Sequence, residues 1–475
     1  MHFQRRIGMA VLLAMGVASS VEAQPAGTAA PPKRSLTIPT WIAVPAAAPT
    51  PPPTKPPTPP SAKPPTPAPA PPAPPPTRGP DCVVTCGAAL PLSAVAFSPD
   101  GKTLAVGGYR EVLLWDLVAG KLGARIGAGQ IGSMVRAVLF TKDGKGLMAA
   151  EGTPYAAGGV KVFDLPGGQV AVNFPEPKGA VRSLDLSPDG KLLAGGCTDG
   201  AAYVWSLADK KLVTTLKDHA LAVTSVSFSA DGKYLATASL DKTIQVWEVA
   251  TWKPDDKNKK TVLEAPVRHC CLREVSRHWA GGGRMTFCFG LAIGGQEARL
   301  LEYRMDDKVP PPYRPDAKTE LDAGIPLDCV WLKDLDQSKW YRQWVYVAAS
   351  DHTVKAYAFE NRKLTLADTL AGHSDWVHAL AASADGKRLA SASADGSVKL
   401  WDLTDRSLLA TLVQLAPGTD QWLVVAGQGY YGTSAPGAVT WRTGDPKPPP
   451  EKLAGLQNPE LVSQVLAGKK VPPAK

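Results

Sequence analysis

The chain has 475 residues, with 44 glycines and 46 prolines, and carries a formal net charge of +9. Residues 1–81 and 443–475 together hold 12 basic and 5 acidic side chains, so these flanks carry +7 and the segment between them +2. A nucleic-acid-binding domain concentrates basic side chains on its folded face, so this distribution argues against nucleic acid as a partner.

The amino-terminal end of the chain, residues 1–23, predicts a secretory signal peptide. Arg5 and Arg6 precede an apolar run at residues 7–18, and the small-residue pattern Val21-Glu22-Ala23 follows. This order is typical of signal peptides, and we expect cleavage after Ala23. The apolar run is shorter than the ~20 residues of a membrane span. We therefore expect an exported protein, periplasmic or extracellular in the cell envelope, with no membrane span after cleavage; an uncleaved anchor is the alternative.

Residues 24–81 predict a disordered linker, with a proline-rich core at residues 45–80. Proline-rich segments adopt the extended polyproline II conformation and act as semi-rigid spacers. We expect this segment to hold the rest of the chain away from a cell surface. Docking of its P-x-x-P motifs into an SH3-like partner is the alternative.

The following segment repeats a module of short strands and Asp-Gly turns, clearest at residues 372–403. The turn glycines Gly101, Gly144, Gly190 and Gly232 follow one another at intervals of 43, 46 and 42 residues. The next, Gly386, lies 154 residues further on, which leaves room for two degenerate units. A period in the low forties is typical of a propeller of four-stranded blades. The sequence therefore predicts an all-β propeller of seven four-stranded antiparallel blades.

These repeats resemble the blades of WD-repeat (WD40) proteins. The resemblance implies a hydrogen-bonded tetrad of His, Ser or Thr, Asp and Trp in each complete blade. Two units match it in full and with identical spacing, namely His219, Thr237, Asp241 and Trp247, and His373, Ser391, Asp395 and Trp401. Other units keep parts of it, namely Asp199 and Trp205 (with Gly195 at the hydroxyl position), Trp115 (with Tyr109 at the aspartate position), Phe163, Tyr303 and Tyr357.

The repeats predict a propeller at residues 82–412. Its blades are expected near residues 92–127, 133–175, 180–217, 221–263, 266–306, 326–371 and 376–412. Blade one also resembles blades of exported bacterial WD-repeat proteins, some of which carry a cytochrome c module. This chain has no C-x-x-C-H motif, so we expect neither haem nor any other cofactor.

Seven cysteines in an exported chain raise the question of disulfides, and the odd number leaves at least one thiol unpaired. Cys82 and Cys86 are candidates for one small loop. Cys270, Cys271 and Cys288 are candidates for one further bridge. Cys197 aligns with serines of the complete blades and is expected to be a buried free thiol. No pair has the spacing of a zinc site, and no metal site is predicted.

Residues 413–442 predict a C-terminal β-hairpin with strands at 422–426 and 438–441. We expect it to cover a blade edge or the closure of the ring. The alternative is a ligand platform built from Tyr430, Tyr431 and Trp441. The tail at 443–475 is proline-rich and has one amphipathic stretch at 459–467, interpreted as a docking helix or a frayed end.

The residue after the first apolar residue of each inner strand is expected at the mouth of the central channel. This rule selects Ser93, Arg136, Arg182, Thr224, Arg268, Asp328 and His378. Three arginines on one rim predict binding of an acidic segment or of a carboxylate-bearing ligand, because guanidinium groups match carboxylates in bidentate geometry. Trp376 lies beside this rim as a candidate anchor. Hydrated arginines, or arginines paired with Asp328, are the alternative.

No nucleophile, metal-protease, phosphate-loop or dinucleotide motif occurs, so no catalytic residue is predicted. We interpret the chain as a non-enzymatic scaffold of the cell envelope that binds protein partners through the propeller face. One alternative is an envelope propeller that binds a carbohydrate or another small ligand, and a further one is a cryptic hydrolase. The oligomeric state is open, with a monomer as the expectation.

Overall fold

The structure is a computed structural model. It describes residues 34–38, 81–86, 90–153, 156–254, 261–262, 267–278, 284–294, 297–303, 317–321, 324–333, 335, 343–360, 363–442 and 455–474. The chain divides into two compact units, Met1–Pro32 and Lys33–Lys475, and every described residue belongs to the second. The predicted signal peptide and the proline-rich core at 45–80 lie outside the described residues.

The described part of the chain is almost entirely β-structure, and two strands precede the repeats: β1 (Arg34–Ile38) and β2 (Asp81–Cys86). The strands of blades one to three are β3 (Ala94–Phe97), β4 (Thr103–Gly107), β5 (Val112–Asp116) and β6 (Lys121–Ile126); β7 (Val135–Phe140), β8 (Gly146–Gly152), β9 (Gly158–Asp164) and β10 (Val170–Phe174); β11 (Val181–Leu186), β12 (Leu192–Cys197), β13 (Ala201–Ser206) and β14 (Lys211–Lys217).

Blades four to six follow the same order from inner to outer strand. Their strands are β15 (Val223–Phe228), β16 (Tyr234–Ser239), β17 (Thr243–Glu248), β18 (Lys253–Pro254) and β19 (Thr261–Val262); β20 (Val267–His278), β21 (Arg284–Gly294), β22 (Glu297–Tyr303) and β23 (Ala317–Glu320); β24 (Pro326–Lys333), β25 (Gln343–Ala349), β26 (Val354–Glu360) and β27 (Lys363–Leu370). The outer strand of blade five ends at residue 320, beyond the predicted limit of 306.

Blade seven and the C-terminal segment complete the described chain. Their elements are β28 (Val377–Ala382), β29 (Arg388–Ser393), β30 (Ser397–Asp402), β31 (Leu408–Gln414), β32 (Trp422–Ala426), β33 (Tyr431–Thr433), a 3₁₀ turn (Pro436–Ala438), β34 (Val439–Arg442) and helix α1 (Pro459–Leu466).

The seven inner strands form a closed ring. β3, β7, β11, β15, β20, β24 and β28 contact one another in this order, and β28 contacts β3. Six sheets follow a path of four antiparallel strands, whereas the last sheet runs through six, from β28 to β33. The all-β propeller of four-stranded blades is therefore confirmed. The prediction of seven four-stranded blades is wrong: six of the seven sheets have a path of four strands, and two C-terminal strands extend the seventh sheet to six. We keep the name blade seven for this longer sheet.

The Ser-x-Asp-Gly motifs form the turns between the first two strands of the regular blades. In blade one the Ser98 hydroxyl donates to Asp100 over 2.6 Å, and the same carboxylate accepts the backbone N–H of Lys102 at 3.0 Å. Gly101 adopts φ +67°, which favours glycine. The motif therefore ends one strand and starts the next through local hydrogen bonds.

A three-stranded sheet outside the ring combines both ends of the described chain, in the order β1-β2-β34. Its register places Ile38 opposite Cys82 and Trp441 opposite Cys82 on the other side. Residues 34–38 of the predicted disordered linker are therefore a strand. Residues 82–86 of the predicted propeller belong to this sheet and not to a blade. The predicted C-terminal hairpin is also wrong, because β32 pairs with β33 while β34 pairs with β2.

The strand register separates the backbones of the cysteines that were candidates for disulfides. Cys82 and Cys86 lie four residues apart on β2, about 13 Å at the rise of a strand, whereas bridged cysteines need Cα atoms within ~7 Å. On β20 and β21, Cys288 faces Glu274, three or more residues along the strands from Cys271 and Cys270. Cys197 is a buried free thiol as predicted, and burial raises its pKa to about 12.

Helix α1 packs on blade seven beside blade one. Asn458 caps its N-terminus by accepting the N–H of Leu461 at 3.0 Å, and Pro459 occupies the first turn. Val462 and Leu466 are buried within the core that joins the first and last blades. On blade seven, Arg388 donates to the carbonyl of Gly101 in blade one (2.7 Å) and to that of Leu466 (3.4 Å). The C-terminal segment therefore reinforces the closure of the ring.

Candidate functional site

A β-bulge recurs near the start of the inner strands and sets which side chains enter the central channel. The register shifts at Arg136, Arg182, Thr224, Arg268 and His378, each of which follows a buried valine. A bulged residue leaves the strand alternation, so its side chain is released from the packed faces between blades. Hydrogen bonding places Ser93 at the same position, because its hydroxyl and that of Thr224 both donate to a valine carbonyl of the next blade.

Three arginines, from blades two, three and five, occupy the same bulge position on their inner strands. Burial lowers the pKa of Arg182 to about 10, and the positive charges of Arg136 and Arg268 contribute to this shift. Burial also lowers the pKa of Arg136 and of Arg268. Arg182 is surrounded by protein yet accessible to solvent, as expected for a side chain projecting into an open channel. We call Arg136, Arg182 and Arg268 the arginine cluster.

The described part of the chain supplies no carboxylate partner to this cluster. The ion pairs of the described residues involve none of the three guanidinium groups, and Nε of Arg136 is buried with no hydrogen-bond acceptor. A buried unpaired donor destabilises the site until an acceptor arrives. Nε of Arg136 is therefore a donor that no described residue satisfies.

Asp328 does not belong to this rim, which corrects the predicted set. In blade six the bulge falls between Pro326 and Asp328, so Leu327 holds the position of the arginines. Asp328 accepts the N–H of Leu380 in blade seven at 2.8 Å and pairs with His269 at 2.9 Å. Its charge is thus committed to contacts between blades, and the alternative of arginines paired with Asp328 is wrong.

Trp376 and His378 flank the channel in blade seven. Trp376 is 44% exposed, and its ring lies 6.3 Å from that of His378 in an edge-to-face arrangement. Burial lowers the pKa of His378; Asp375 opposes this shift, while the charges of Arg136 and Arg182 add to it. An exposed aromatic side chain therefore lies next to a histidine that shares the channel with the arginine cluster.

The C-terminal aromatic residues do not form an open platform. Tyr431 is 6% exposed and belongs to β33, and Tyr430 packs against the core between the first and last blades. The side chain of Trp441 lies outside the described residues. Tyr430 and Tyr431 therefore give no support to the alternative of a ligand site.

Both complete tetrads are connected by hydrogen bonds. In blade seven His373 bridges Asp395 (Nδ1 to Oδ2, 2.9 Å) and Ser391 (Nε2 to Oγ, 2.8 Å), and Trp401 donates to Ser391 at 2.9 Å. Burial tends to raise the pKa of Asp395, but hydrogen bonds from His373 and Ser397 outweigh it and hold the pKa below its ordinary value. The network is structural, since its members are buried beneath the blade turn.

The tetrad of blade four has the same arrangement. His219 lies 3.1 Å from Asp241 and 2.8 Å from Thr237, and Trp247 donates to Thr237 at 3.0 Å. Equal spacing in the sequence therefore produces equal geometry in the two blades.

The incomplete blades use substitutes that sequence reasoning missed. In blade three the Tyr203 hydroxyl donates to Asp199 at 2.7 Å in place of a histidine, and Trp205 donates to Glu176 at 3.1 Å in place of a hydroxyl. Lys355 pairs with Asp351 in blade six at 3.4 Å. The sequence did contain a signal for these substitutes, because a polar side chain stands two residues before the aromatic residue of several blades. These side chains are Tyr203, Lys355, Lys161, Gln245 and Lys399.

Within the described ranges, no group of three His, Cys, Asp or Glu side chains could hold a metal ion. None of the described helices is long and apolar enough to cross a membrane. These statements apply to the described residues alone.

Comparison with known proteins identifies the repeats. The family "WD domain, G-beta repeat" matches residues 80–116, 168–206, 210–248 and 364–402. The chain is 34% identical over 125 residues to the small ribosomal subunit protein RACK1y of Oryza sativa subsp. japonica, covering 25% of this chain and 35% of that protein. It is 40% identical over 74 residues to apoptotic protease-activating factor 1 of Danio rerio, covering 16% and 6%.

The chain thus spans about a third of the length of the first curated relatives it matches. Among solved structures, a chain of the crystal structure of the mitotic checkpoint complex is similar at a TM-score of 0.53 and 17% identity, covering 67% of this chain and 94% of that one. That likeness supports the fold alone. Together with the repeated tetrads and the ring of sheets, the matches show that the chain carries repeats of the WD40 (WD-repeat) family, arranged as a β-propeller.

Proposed function

We propose that the protein is a non-enzymatic interaction scaffold that binds an acidic segment of a protein partner at the arginine cluster. The observation that carries this proposal is that Arg136, Arg182 and Arg268 occupy the same bulge position on three inner strands, with no ion pair to a carboxylate of the described chain. The similar protein RACK1y is named as a protein of a small ribosomal subunit, which agrees with a scaffold.

The chemistry of the cluster favours carboxylates. Each guanidinium group presents a planar fork of donors that pairs with a carboxylate in bidentate geometry. Burial and mutual repulsion lower the pKa of Arg182, and a bound anion would offset both effects. The exposed Trp376 beside the cluster is a suitable anchor for an apolar residue of the same partner.

A charge-matched comparison tests the proposal. One variant replaces Arg136, Arg182 and Arg268 by Gln, and its control replaces the exposed turn lysines Lys102, Lys191 and Lys233 by Gln. The probe is a fluorescein-labelled oligoglutamate peptide, followed by anisotropy. We expect binding to wild type and control, loss of binding in the arginine variant, and weakening with salt, because the Debye length is ~8 Å at physiological ionic strength.

Equal binding of the peptide by both triple variants would contradict the proposal. The net charge of the protein, and not the position of its arginines, would then determine binding. Circular dichroism and melting must first agree among the three proteins. Capture of the same proteins from envelope extract by wild type and arginine variant would likewise remove the cluster as the partner site.

We also propose that the scaffold acts in the cell envelope. The support is the basic-apolar-small order of residues 1–23. Amino-terminal sequencing of the mature protein from its host tests this, and an intact Met1 in a soluble cytoplasmic pool would overturn it.

A further inference from the structure

The outer strand of blade three, β14, has an exposed edge. It ends the path of its sheet, and no described residue forms a backbone hydrogen bond with the side that is turned away from β13. Leu212 and Val213 of this strand are 36% and 45% exposed. Nowhere else in the described ranges do two neighbouring residues both expose large apolar side chains. An apolar edge strand with unpaired backbone groups is a template for pairing with another strand.

Blade seven shows what such an edge accepts in this fold. Its outer strand β31 has the register of β14, because both strands begin opposite a blade tryptophan and both carry a bulge one residue later. In blade seven β32 pairs with β31 as a fifth, antiparallel strand. Leu409, at the bulge of β31, is 6% exposed, whereas Val213 occupies the bulge of β14. The same position is therefore buried where a fifth strand is present and exposed where it is absent.

The register of blade three shows which backbone groups of β14 face outward. Leu207 donates its N–H to the carbonyl of Lys191 at 2.9 Å, where the pairing of β12 with β13 begins. Hydrogen-bonded pairs alternate along antiparallel strands, so Tyr203, four residues away, also bonds to β12. Thr215 lies opposite Tyr203. Its N–H and carbonyl are therefore turned away from the sheet.

Blade six satisfies the same position without a partner strand. Its outer strand β27 places Thr369 at the register of Thr215, and the N–H of Thr369 donates to the side chain of Asp368 at 2.8 Å. A charged side chain at an edge opposes pairing with another strand. In β14 the residue that corresponds to Asp368 is Thr214, and no described side chain accepts the N–H of Thr215. The edge of β14 therefore keeps a donor that the edge of β27 uses internally.

Lysines stand at both ends of β14. Lys211 and Lys217 are exposed, and neither forms an ion pair with a described residue. Of the nearby acids, Asp209 accepts the hydroxyl of Ser206 at 2.7 Å, and Asp218 has a partner of its own. Two copies of β14 paired antiparallel would place Lys211 opposite Lys217, and like charges directly opposite are destabilising. The charges therefore favour a strand with acidic ends over a second copy.

We propose that the outer edge of β14 binds an extended segment of a partner protein as a fifth antiparallel strand. Apolar or β-branched residues at the centre of that segment cover Leu212 and Val213, and an acidic residue at each end pairs with Lys211 or Lys217. Main-chain hydrogen bonds to Thr215 hold the segment in register, as in other cases of strand addition. The site is on an outer strand and the arginine cluster is on inner strands, so neither proposal depends on the other.

The test titrates the full-length protein into the fluorescein-labelled peptide Glu-Val-Thr-Val-Thr-Val-Glu and follows anisotropy. We expect saturable binding, and Thr215→Pro should abolish it because proline has no N–H. Edge strands tolerate proline where the N–H faces solvent. Thr369→Pro is the matched control at the same register of blade six and should bind like wild type. The variant with Gln in place of the arginine cluster should also bind like wild type, which separates this site from that cluster.

Val213→Glu provides a second variant, which decides the outcome if Thr215→Pro differs from wild type in circular dichroism. It replaces an apolar contact by a charge that repels the acidic peptide, and it should weaken binding about tenfold. Val170→Glu is its control, because Val170 is exposed on the outer strand of blade two.

Three results of the titrations would overturn the proposal: no saturable binding, equal binding of the peptide Lys-Val-Thr-Val-Thr-Val-Lys, or equal losses in a variant and its control. Sedimentation velocity tests the remaining occupant. A wild-type dimer that Val213→Glu dissociates would assign the edge of β14 to a second copy of the chain, and this result would also overturn the proposal.

Discussion

At the residue scale, the position two residues before the blade aromatic has different hydrogen-bond partners in different blades. Tyr203 and Lys355 occupy it where the histidine is missing and bond directly to the acid. In blade seven Asp395 is already bonded to His373, so Lys399 donates instead to Thr411 at 3.0 Å. A lysine at this position therefore pairs with the aspartate in blade six, whereas in blade seven the aspartate needs no such partner.

The tetrad of blade seven predicts a large effect of a single substitution. Asp395→Ala removes the acceptor of His373, of the Ser374 N–H and of Ser397. Leaving such buried groups unsatisfied should lower the free energy of unfolding by about 1–3 kcal/mol, measured by chemical denaturation. Asp189→Ala, at an exposed turn, is the control and should change stability far less. Equal losses in both variants would exclude a buried tetrad as the cause.

Lys399 predicts a pH dependence of stability. Burial lowers its pKa in the folded state from 10.5 to about 8, against an opposing effect of Asp395. Between these two values the unfolded chain holds a proton that the folded chain lacks, so the free energy of unfolding gains a contribution that rises with pH in this window. Below a pH of about 8 the cost of the buried charge is fully present.

The variant Lys399→Gln should remove this contribution, because Gln245 occupies the same register position in blade four and is 3% exposed. Urea midpoints of wild type and variant, compared across the window, provide the measurement. We expect the difference between the two proteins to narrow as pH rises. A constant difference would show that Lys399 does not titrate there.

At the element scale, the turns and tetrads were predictable because their interactions are local in sequence. Ser98 and Asp100 bond within one turn, and the tetrad residues keep fixed spacing. The rim was predictable in the blades that begin with valine. In blade six both Pro326 and Leu327 are apolar, so an apolar pattern could not locate the bulge, and Asp328 was assigned one residue too far.

The C-terminal elements were harder to predict because their partners are distant in sequence. β34 pairs with β2, which lies near the other end of the described chain, and no local pattern distinguishes that pairing from a hairpin with β32. The amphipathic stretch at 459–467 indicated a helix but not its surface. Its contacts with Val118 and Gly120 of blade one depend on the closed ring.

Helix α1 predicts a stability contribution of its own. Leu466 is 1% exposed in the core between blades one and seven. Leu466→Ala should therefore lower the free energy of unfolding by about 2–5 kcal/mol. Val118→Ala is the control, since Val118 is 55% exposed. Urea denaturation measures both. If Leu466→Ala were as mild as its control, the helix would not be docked in solution.

At the scale of the whole molecule, the three-stranded sheet meets the ring through β34, because Val439 packs on the core of the last sheet. The principal contacts of β2 among the described elements are with β1, β34 and the 3₁₀ turn, and not with an inner strand. A chain that begins at residue 90 should therefore keep the propeller, with a single cooperative melting transition and a far-ultraviolet circular dichroism spectrum dominated by β-structure. Loss of that transition would show that the small sheet is needed for closure.

The pairing of Ile38 with Cys82 has a consequence for tethering. Because these residues are cross-strand neighbours, the end of β1 and the start of β2 are about 5 Å apart. The number of residues between two paired strands does not change the distance between the sheet and the chain that precedes the first of them. An attachment of the chain before Arg34 would therefore hold the three-stranded sheet through β1, and not through residues 39–80. The spacer role of the proline-rich segment stays a prediction, and shortening residues 45–80 tests it, because the pairing of β1 with β2 predicts an unchanged reach of the propeller.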